Sequence, residues 1–366
     1  MAAARKYLKL DQPFPMRRGG SLPSVQIAYE TWGELNAARD NAILIFTGLS
    51  PSAHAASSAL DCSPGWWEDM VGPGRPIDTS RFFVVCVNSL GSVFGSTSPA
   101  SINPQTGKPY RLSFPILTVE DIARGGYEVI RSLKIEKLRC VIGPSLGGMT
   151  VLAFAAMFPD AARSLISISG AARSTPFTIA LRSLQREMIR KDPAWQGGNY
   201  SADAVPVEGM RLARKLGMIT YRSAKEWLQR FGRERASVEH KPDDPFSIDF
   251  EIEAYLESHA SKFVGQFDPN AYLYLSRAMD LFDLADHGEG SLSEALKRFK
   301  LESVLVIGVE TDLLFPIEQQ QELAEGLSGT GREVNFARLN SLQGHDAFLV
   351  DMDQFRPVIG DFLRGL

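Results

Sequence analysis

Short apolar runs alternate with amphipathic stretches along the first half of the chain. Five runs have the length and composition of buried strands: 25–32, 42–46, 82–87, 140–142 and 165–168. Two stretches repeat apolar residues at helical spacing: 120–133 and 149–158. Near-continuous apolar strands separated by such helices indicate a mostly parallel sheet covered on both faces. We therefore predict an α/β fold.

The pattern changes after residue 173. From 174 to 299 the strand signal almost disappears, and five helical stretches dominate: 179–190, 209–216, 224–231, 252–263 and 271–284. Strand patterns return at 303–308 and 334–339, and a closing helix is predicted at 354–363. The sequence therefore predicts a core formed by residues 1–173 and 300–366, which is interrupted by a helical cap at 174–299.

Composition excludes several classes of function. The 366 residues carry a formal net charge of −4, so no long-range field attracts nucleic acid or an anionic membrane. No apolar run approaches the roughly 18 residues that span a bilayer, and the first residues lack the apolar core of a signal peptide. We expect a cytoplasmic protein with neither nucleic-acid nor membrane partners.

Metal and cofactor signals are absent from the sequence. Cys62, Cys86 and Cys140 lack the spacing of metal ligands. Two of them lie in strand-like apolar runs, so buried thiols are expected rather than catalytic or disulfide-bonded ones. No glycine-rich phosphate loop, metal-ligand cluster or nicotinamide fingerprint occurs. We therefore expect no metal and no bound cofactor.

One short motif points to chemistry. Residues 143–147 read Gly-Pro-Ser-Leu-Gly, between a predicted strand and a predicted helix. In this context the glycines let the backbone pass close to its neighbours, and the serine hydroxyl is lifted clear of the sheet, where a base can reach it. The motif alone is weak, because glycine and serine are common in loops. The flanking strand and helix make Ser145 the candidate nucleophile.

A serine nucleophile needs a base and a group that orients the base. His345 lies just past the last predicted strand, and Asp312 follows the strand before it, at the sheet edge where loops carry chemistry. The chain order Ser145, Asp312, His345 is that of an α/β-hydrolase catalytic triad. The remaining histidines are expected to pack or to lie on the surface: His54, His240, His259 and His287.

The tetrahedral intermediate of acyl transfer needs hydrogen-bond donors for its oxygen. One donor is expected to be the main-chain N–H of Leu146, directly after the nucleophile. The other is expected in the loop after the second core strand, where we choose the N–H of Leu49. Both roles use only the main chain, so the leucine side chains are free to pack elsewhere.

Five longer segments are specific enough to indicate a family: 28–36 (AYETWGELN), 40–45 (DNAILI), 95–104 (GSTSPASINP), 143–149 (GPSLGGM) and 344–349 (GHDAFL). They resemble the α/β-hydrolase-fold amino acid O-acyltransferases, which include homoserine O-acetyltransferase, homoserine O-succinyltransferase and serine O-succinyltransferase. The resemblance covers nearly the whole chain. It implies acyl transfer from an acyl-CoA co-substrate to an amino acid hydroxyl, through an acyl-serine intermediate. It also implies a cytoplasmic, usually dimeric enzyme whose cap carries the dimer contacts.

Three further residues take candidate roles from this resemblance. Arg214, in segment 212–223, looks like the arginine that holds the carboxylate of the amino acid, and Asp346 looks like the partner of its ammonium group. A guanidinium fork suits a carboxylate, and a fixed anion suits an ammonium. Tyr221, in the same segment, either donates to the substrate or packs, and both possibilities stay open.

Substrate specificity is predicted from the loop after the second core strand. Residues 46–54 read FTGLSPSAH, where homoserine enzymes of the family usually have His-Ala-Leu-Thr-Gly. With Trp66, Trp67 and segment 183–187, this loop looks most like the serine O-succinyltransferase branch. We expect succinyl-CoA as donor and L-serine as acceptor, and a cation such as Arg182 or Arg186 near the succinyl carboxylate. The candidate specificity residues are Pro51, Ser52, Ala53, His54, Arg182, Ser183 and Arg186.

Other functions stay open. Acceptors that differ by one methylene are separated by only about 1–3 kcal/mol, so succinylation or acetylation of L-homoserine is an alternative. The fold and the triad do not exclude an esterase or thioesterase that uses water as acceptor. Such a hydrolase would not need Arg214 and Asp346. A non-catalytic binding protein is a third alternative, against which the intact Ser145, Asp312 and His345 argue.

Overall fold

A mixed sheet forms the centre of the computed structural model, which describes residues 4–201, 203–237 and 244–366. Its eight strands, β1 to β8 in chain order, are Lys6–Leu10, Val25–Trp32, Ala42–Phe46, Phe83–Val87, Leu138–Pro144, Ala162–Ile168, Ser303–Val309 and Glu333–Leu339. Their spatial order is β1-β2-β4-β3-β5-β6-β7-β8. Strand β2 is antiparallel to both of its neighbours, and β3 to β8 are parallel to one another.

Helices cover both faces of this sheet, and side chains of β3 alternate between them. Ala42, Leu44 and Phe46 belong to the hydrophobic cluster that includes residues of the first two helices, whereas Ile43 and Ile45 belong to the cluster that includes residues of the last helix. This burial on both faces explains why β3 is apolar throughout. The predicted α/β fold with a mostly parallel sheet is confirmed.

The helices α1 to α11 are Val119–Ser132, Leu146–Met157, Pro176–Lys191, Val207–Tyr221, Ala224–Phe231, Glu251–Phe263, Pro269–Leu281, Leu292–Lys297, Ile317–Ser328, Ala347–Val350 and Met352–Arg364. Short 3₁₀ helices lie at Arg111–Ser113, Pro193–Gly198, Leu284–Gly288 and Gly344–Asp346. Three two-residue strand pairs complete the structure: Phe14–Pro15 with Ser21–Leu22, Val71–Gly72 with Ile77–Asp78, and Ile102–Asn103 with Lys108–Pro109.

The described residues between β6 and β7 form helices α3 to α8 and isolated bridges rather than sheet strands. Helix α4 extends beyond the predicted 209–216 and ends at Tyr221. The stretch predicted as a helix over 271–284 divides into α7 and a 3₁₀ turn, and α8 was not predicted. The division into core and cap stays a prediction, and His240 lies outside the described residues.

Strand β1 was also missed by the sequence analysis. It pairs with β2 at the outer edge of the sheet, and its two lysines are exposed, so it lacks the apolar pattern of a buried strand.

Of the three free thiols, Cys86 and Cys140 are buried, and burial raises the pKa of both. Cys62 is exposed, contrary to the expectation of a buried thiol. Among the described residues, no helix combines the length and apolarity that a membrane span requires.

The chain turns sharply where β5 passes into α2. Ser145 occupies this turn with φ +57° and ψ −120°, a backbone conformation that residues other than glycine rarely adopt. A Cβ on Gly143 would lie 2.1 Å from the carbonyl oxygen of Gly147, and a Cβ on Gly147 would lie 2.3 Å from the carbonyl oxygen of Phe46. The two glycines therefore let α2 pack directly against β5 and β3, which fixes the conformation of Ser145.

Replacing Gly147 should destabilise the protein. In Gly147→Ala the new methyl group meets the backbone oxygen of Phe46 at 2.3 Å, so a strand or helix must move. We expect a loss of more than about 2 kcal/mol in the free energy of unfolding, measured by urea denaturation. The matched control is Gly329→Ala, because Gly329 has φ −65° and its Cβ would meet the nearest atom at 3.9 Å. Equal stability of the two variants would contradict the argument.

Candidate active site

Three side chains from distant parts of the chain form a hydrogen-bonded row. His345 Nε2 lies 2.8 Å from Ser145 Oγ, and His345 Nδ1 lies 2.7 Å from Asp312 Oδ2. All three residues are buried. Because a carboxylate only accepts, Nδ1 carries the proton and Nε2 is left to accept the serine hydroxyl proton. The arrangement can therefore generate a serine alkoxide.

Local contacts fix the side chains of Asp312 and His345. Asp312 lies in the loop after β7, where its Oδ1 accepts from the N–H groups of Leu314 and Phe315 at 2.8 and 2.9 Å. His345 lies in the 3₁₀ turn after β8, with the Phe315 ring stacked on the imidazole at a centroid distance of 5.1 Å. Both rotamers are thus restrained, and Asp312 keeps one oxygen for His345.

Electrostatics favour the protonated imidazole. Burial lowers the pKa of His345, but the charge and the hydrogen bond of Asp312 outweigh this effect, so the pKa lies above its ordinary value. A carboxylate in this position stabilises the imidazolium that forms when the serine proton is taken up.

A cavity opens onto Ser145 between the sheet edge and the helices between β6 and β7, the predicted cap. The loop after β3 contributes Gly48, Leu49, Ser50 and Pro51 to its wall. A Cβ on Gly48 would lie 4.0 Å from the Cβ of Ser145, so this loop runs directly beside the serine. The cap contributes six residues with polar side chains: Arg182, Gln185, Arg214, Tyr221, Tyr272 and Ser276.

The residues predicted to supply the oxyanion donors flank Ser145. Leu146 is the first residue of α2, so its N–H has no acceptor within the helix. Leu49 lines the cavity in the loop beside the serine. The donor roles of these two N–H groups stay predictions.

Arg214 brings a positive charge to the cavity. It projects from α4, where its guanidinium carbon lies 4.6 Å from the centre of the Phe263 ring. Its Nε atom is buried and has no hydrogen-bond partner. Within the described part of the chain it forms no ion pair, so its charge is available to an anionic ligand.

Asp346 lies at the cavity wall beside His345, but it already has a cationic partner. Its Oδ2 lies 3.1 Å from Nε of Arg222, a residue that the sequence analysis did not single out. Burial raises the pKa of Asp346, and the charges of Arg222, His345 and Arg214 oppose this effect. The only sequence signal for Arg222 was its place in segment 212–223.

Two tyrosines complete this side of the cavity, of which Tyr272 is buried and Tyr221 is partly buried. Tyr221 and Tyr272 both line it. Burial raises the pKa of both phenols, so both stay neutral and can donate a proton in a hydrogen bond. Tyr272 lies within a predicted helix of the cap, and nothing in the sequence indicated that it lines the cavity.

Arg182 and Arg186 share one buried carboxylate. Nε of Arg182 lies 2.7 Å from Asp280 Oδ1, and Nη2 of Arg186 lies 2.6 Å from Asp280 Oδ2. Arg182 lines the cavity, whereas Ser183 is exposed and Gln185 takes the position facing inward. Helical periodicity accounts for this, because residues 182 and 185 lie on one face of α3 and residue 183 does not.

The predicted specificity loop contacts the cavity only through its first part. Pro51 lines the wall, but Ser52, Ala53 and His54 do not. The Ser52 carbonyl accepts from the Trp66 indole at 3.0 Å, and Ala53 is fully buried.

His54 holds the far end of this loop. Its Nδ1 lies 2.8 Å from Glu30 Oε2, and its Nε2 lies 2.9 Å from the Ser63 carbonyl. Burial lowers the pKa of His54, but Glu30 outweighs this effect and the net shift is upward. His54 therefore shapes the loop from behind the cavity wall.

The other described histidines lie away from the cavity wall, and potential metal ligands do not cluster. His259 is exposed, and His287 Nε2 lies 3.2 Å from the buried Glu120. Across 4–201, 203–237 and 244–366, no three His, Cys, Asp or Glu side chains are arranged to hold a metal ion.

Known proteins share both this fold and this sequence. A family model described as the alpha/beta hydrolase fold matches residues 41–348. A serine O-succinyltransferase from Litchfieldella anticariensis is 58% identical over 363 residues, which are 99% of each chain. The chain belongs to this family of α/β-hydrolase-fold acyltransferases. A serine O-succinyltransferase from Frateuria aurantia is 56% identical over 367 residues and covers 100% of both chains.

Solved structures confirm the fold of this acyltransferase. The homoserine O-acetyltransferase from Bacillus anthracis superposes with a TM-score of 0.90 at 31% identity, covering 99% of this chain and 98% of that one. Esterase E22 gives a TM-score of 0.88 at 31% identity, covering 98% of this chain and 99% of its own. The same scaffold thus occurs in a protein named as a transferase and in one named as an esterase.

Removing the carboxylate behind His345 should alter both rate and pH dependence. Acylation by a chromogenic acetate ester should rise with pH through an apparent pKa above about 6.5, because only neutral imidazole accepts the serine proton. In Asp312→Asn the rate should fall by about 10⁴-fold, and the inflection should move to lower pH because the stabilising charge is lost. An unchanged inflection in stopped-flow profiles would contradict this assignment.

Proposed function

We propose that the protein transfers a succinyl group from succinyl-CoA to the hydroxyl of L-serine by a ping-pong mechanism through succinyl-Ser145. The relatives named serine O-succinyltransferase, at 53–58% identity over nearly full length, support this choice. The observation that carries it is Arg214, which forms no ion pair with the described residues and lies in the wall of a cavity that contains the triad. A hydrolase that uses water has no need of such a charge.

The first half-reaction acylates the enzyme. His345 Nε2 removes the proton from Ser145 Oγ, which attacks the thioester carbonyl carbon of succinyl-CoA. The N–H groups of Leu49 and Leu146 stabilise the oxygen of the tetrahedral intermediate. Its collapse breaks the C–S bond, and His345 returns the proton to the departing thiolate of CoA.

The second half-reaction transfers the acyl group. Arg214 holds the carboxylate of L-serine, Asp346 accepts from its ammonium group, and Tyr221 donates to the substrate. His345 removes the proton from the substrate hydroxyl as this oxygen attacks the acyl carbon. The bond to Ser145 then breaks, and His345 returns the proton to Oγ.

We expect a group of charged side chains in the cap to bind the succinyl carboxylate. Arg182, Arg186 and Asp280 together carry one net positive charge, because two guanidinium groups share one carboxylate. Arg182 is the member that reaches the cavity wall. We assign it the succinyl carboxylate, with Arg186 as its support.

The rigid ring of Pro51 narrows the acceptor end of the cavity and favours L-serine over the longer L-homoserine. The product would then be an activated serine ester for cysteine biosynthesis in the cytoplasm. Exposed apolar side chains on α3 and α4 support a homodimer formed through the cap: Leu184, Leu212 and Ile219.

An acceptor panel tests the proposal. Beyond the single turnover that acylates Ser145, release of CoA from succinyl-CoA should be fast only when L-serine is added. With L-homoserine kcat/KM should be about 10- to 100-fold lower, because one methylene separates the two acceptors. Acetyl-CoA should be the poorer donor because it lacks the carboxylate that Arg182 binds. Equal release without any amino acid would favour a hydrolase, and a preference for L-homoserine would favour the other branch of the family.

The role of Arg214 provides a second arm of this test. In Arg214→Gln, KM for L-serine should rise about 10- to 100-fold, because a charged hydrogen bond is lost, while single-turnover acylation stays within about threefold. The matched control is Arg211→Gln on the same helix, where Arg211 pairs with Glu208 and Glu257. Equal effects of the two substitutions would contradict the assignment of Arg214.

A further inference from the structure

Arg222 joins the cap to the turn that carries His345. It follows Tyr221 at the end of α4, and only 14% of its side chain is exposed. Its Nε lies 3.1 Å from Asp346 Oδ2, and its Nη1 donates to the side-chain oxygen of Gln343. One guanidinium thus binds residues on both sides of the catalytic histidine.

Contacts with main-chain carbonyl groups also join the end of α4 to the turn that carries His345. Ser223 Oγ donates to the Leu342 carbonyl at 2.5 Å and also caps the N-terminus of α5. Gly344 has φ +61°, and a Cβ there would lie 2.7 Å from the carbonyl oxygen of Tyr221. The junction between α4 and α5 is therefore packed against the catalytic turn along its whole length.

Arg222 and Asp346 each face more than one charged group. Arg222 faces Asp346 and, at 3.7 Å, the buried Glu226. Asp346 faces Arg222 and Arg214 from the cap, and His345 from its own turn. The ion pair uses Oδ2 of Asp346, which leaves Oδ1 to accept from an ammonium group.

We infer that Arg222 is a positioning residue for the amino acid acceptor: it holds Asp346 in place and thereby couples the acceptor-binding helix α4 to the turn that carries the catalytic base. This inference rests on the proposed function. Arg222 does not line the cavity, so it acts through Asp346 rather than on the substrate. Arg214, Tyr221 and Arg222 then place the acceptor carboxylate, the acceptor ammonium and His345 in one rigid unit.

The ion pair also opposes the effect of burial on the pKa of Asp346. Burial raises the pKa of Asp346, and Arg222 is the first of the groups that lower it. Without Arg222 the carboxyl group would take up a proton at a higher pH and lose its attraction for an ammonium group. Acceptor binding should therefore weaken as the pH falls, and it should do so at higher pH when Arg222 is replaced.

The experiment compares Arg222→Gln and Arg222→Lys with the control Arg230→Gln. Arg230 pairs with the same Glu226 at 3.7 Å but lies on the far side of it, on α5. In Arg222→Gln we expect KM for L-serine to rise about tenfold or more, and its increase at low pH to begin at higher pH. Single-turnover CoA release should change by less than about threefold. Arg222→Lys should restore part of the affinity, and Arg230→Gln should match the wild type.

A double-mutant cycle separates positioning from general stability. If Arg222 acts through Asp346, adding Arg222→Gln to Asp346→Asn should raise KM by less than about twofold further. The inference would be overturned if the two substitutions raised KM independently, so that their effects multiply. It would also be overturned if Arg222→Gln reduced acylation and acceptor affinity equally and left the pH profile unchanged. Wild-type enzyme that releases CoA over many turnovers at the same rate with and without an amino acid would instead refute the proposed function.

Discussion

The structure depends on one backbone constraint, the sharp turn at Ser145. Its φ of +57° is maintained because Gly143 and Gly147 let α2 approach β5 and β3 more closely than any side chain would allow. This turn places Oγ at the end of the central sheet, within 2.8 Å of His345. The loops after β3, β7 and β8 end at the same edge, so the nucleophile, the predicted oxyanion donors, the acid and the base meet there.

The edge of the sheet carries the triad, and the helices between β6 and β7 bring arginine side chains to the same cavity. Three arginines of the cap differ in the way they are neutralised. Arg182 shares the buried Asp280 with Arg186, whereas Arg214 has no anionic partner in the described part of the chain. Among the described residues that line the cavity, Arg214 lacks an ion-pair partner and Asp346 supplies a carboxylate, a combination that suits a zwitterion. The same scaffold in esterase E22 means that specificity must come from such side chains and not from the fold.

Sequence patterns predicted strands in which every residue is buried. They also predicted site residues that belong to short, recognisable motifs. Strand β3 was predicted with its observed bounds, because all five of its residues are buried. Edge strand β1 was missed, because its exposed lysines break the apolar pattern. Arg222, Tyr272 and Asp280 were missed because their partners are distant in sequence. Ser183 was named where Gln185 faces the cavity, since a motif does not specify which face of a helix turns inward.

The central claim is that Ser145 carries the acyl group between two substrates. Rapid acid quench of the enzyme with succinyl-CoA, followed by mass spectrometry of its peptides, tests this directly. The account predicts one succinyl group on the peptide that contains Ser145, its disappearance when L-serine is added before the quench, and its absence in Ser145→Ala. Rapid formation of the succinylated amino acid without any adduct on Ser145 would contradict the account.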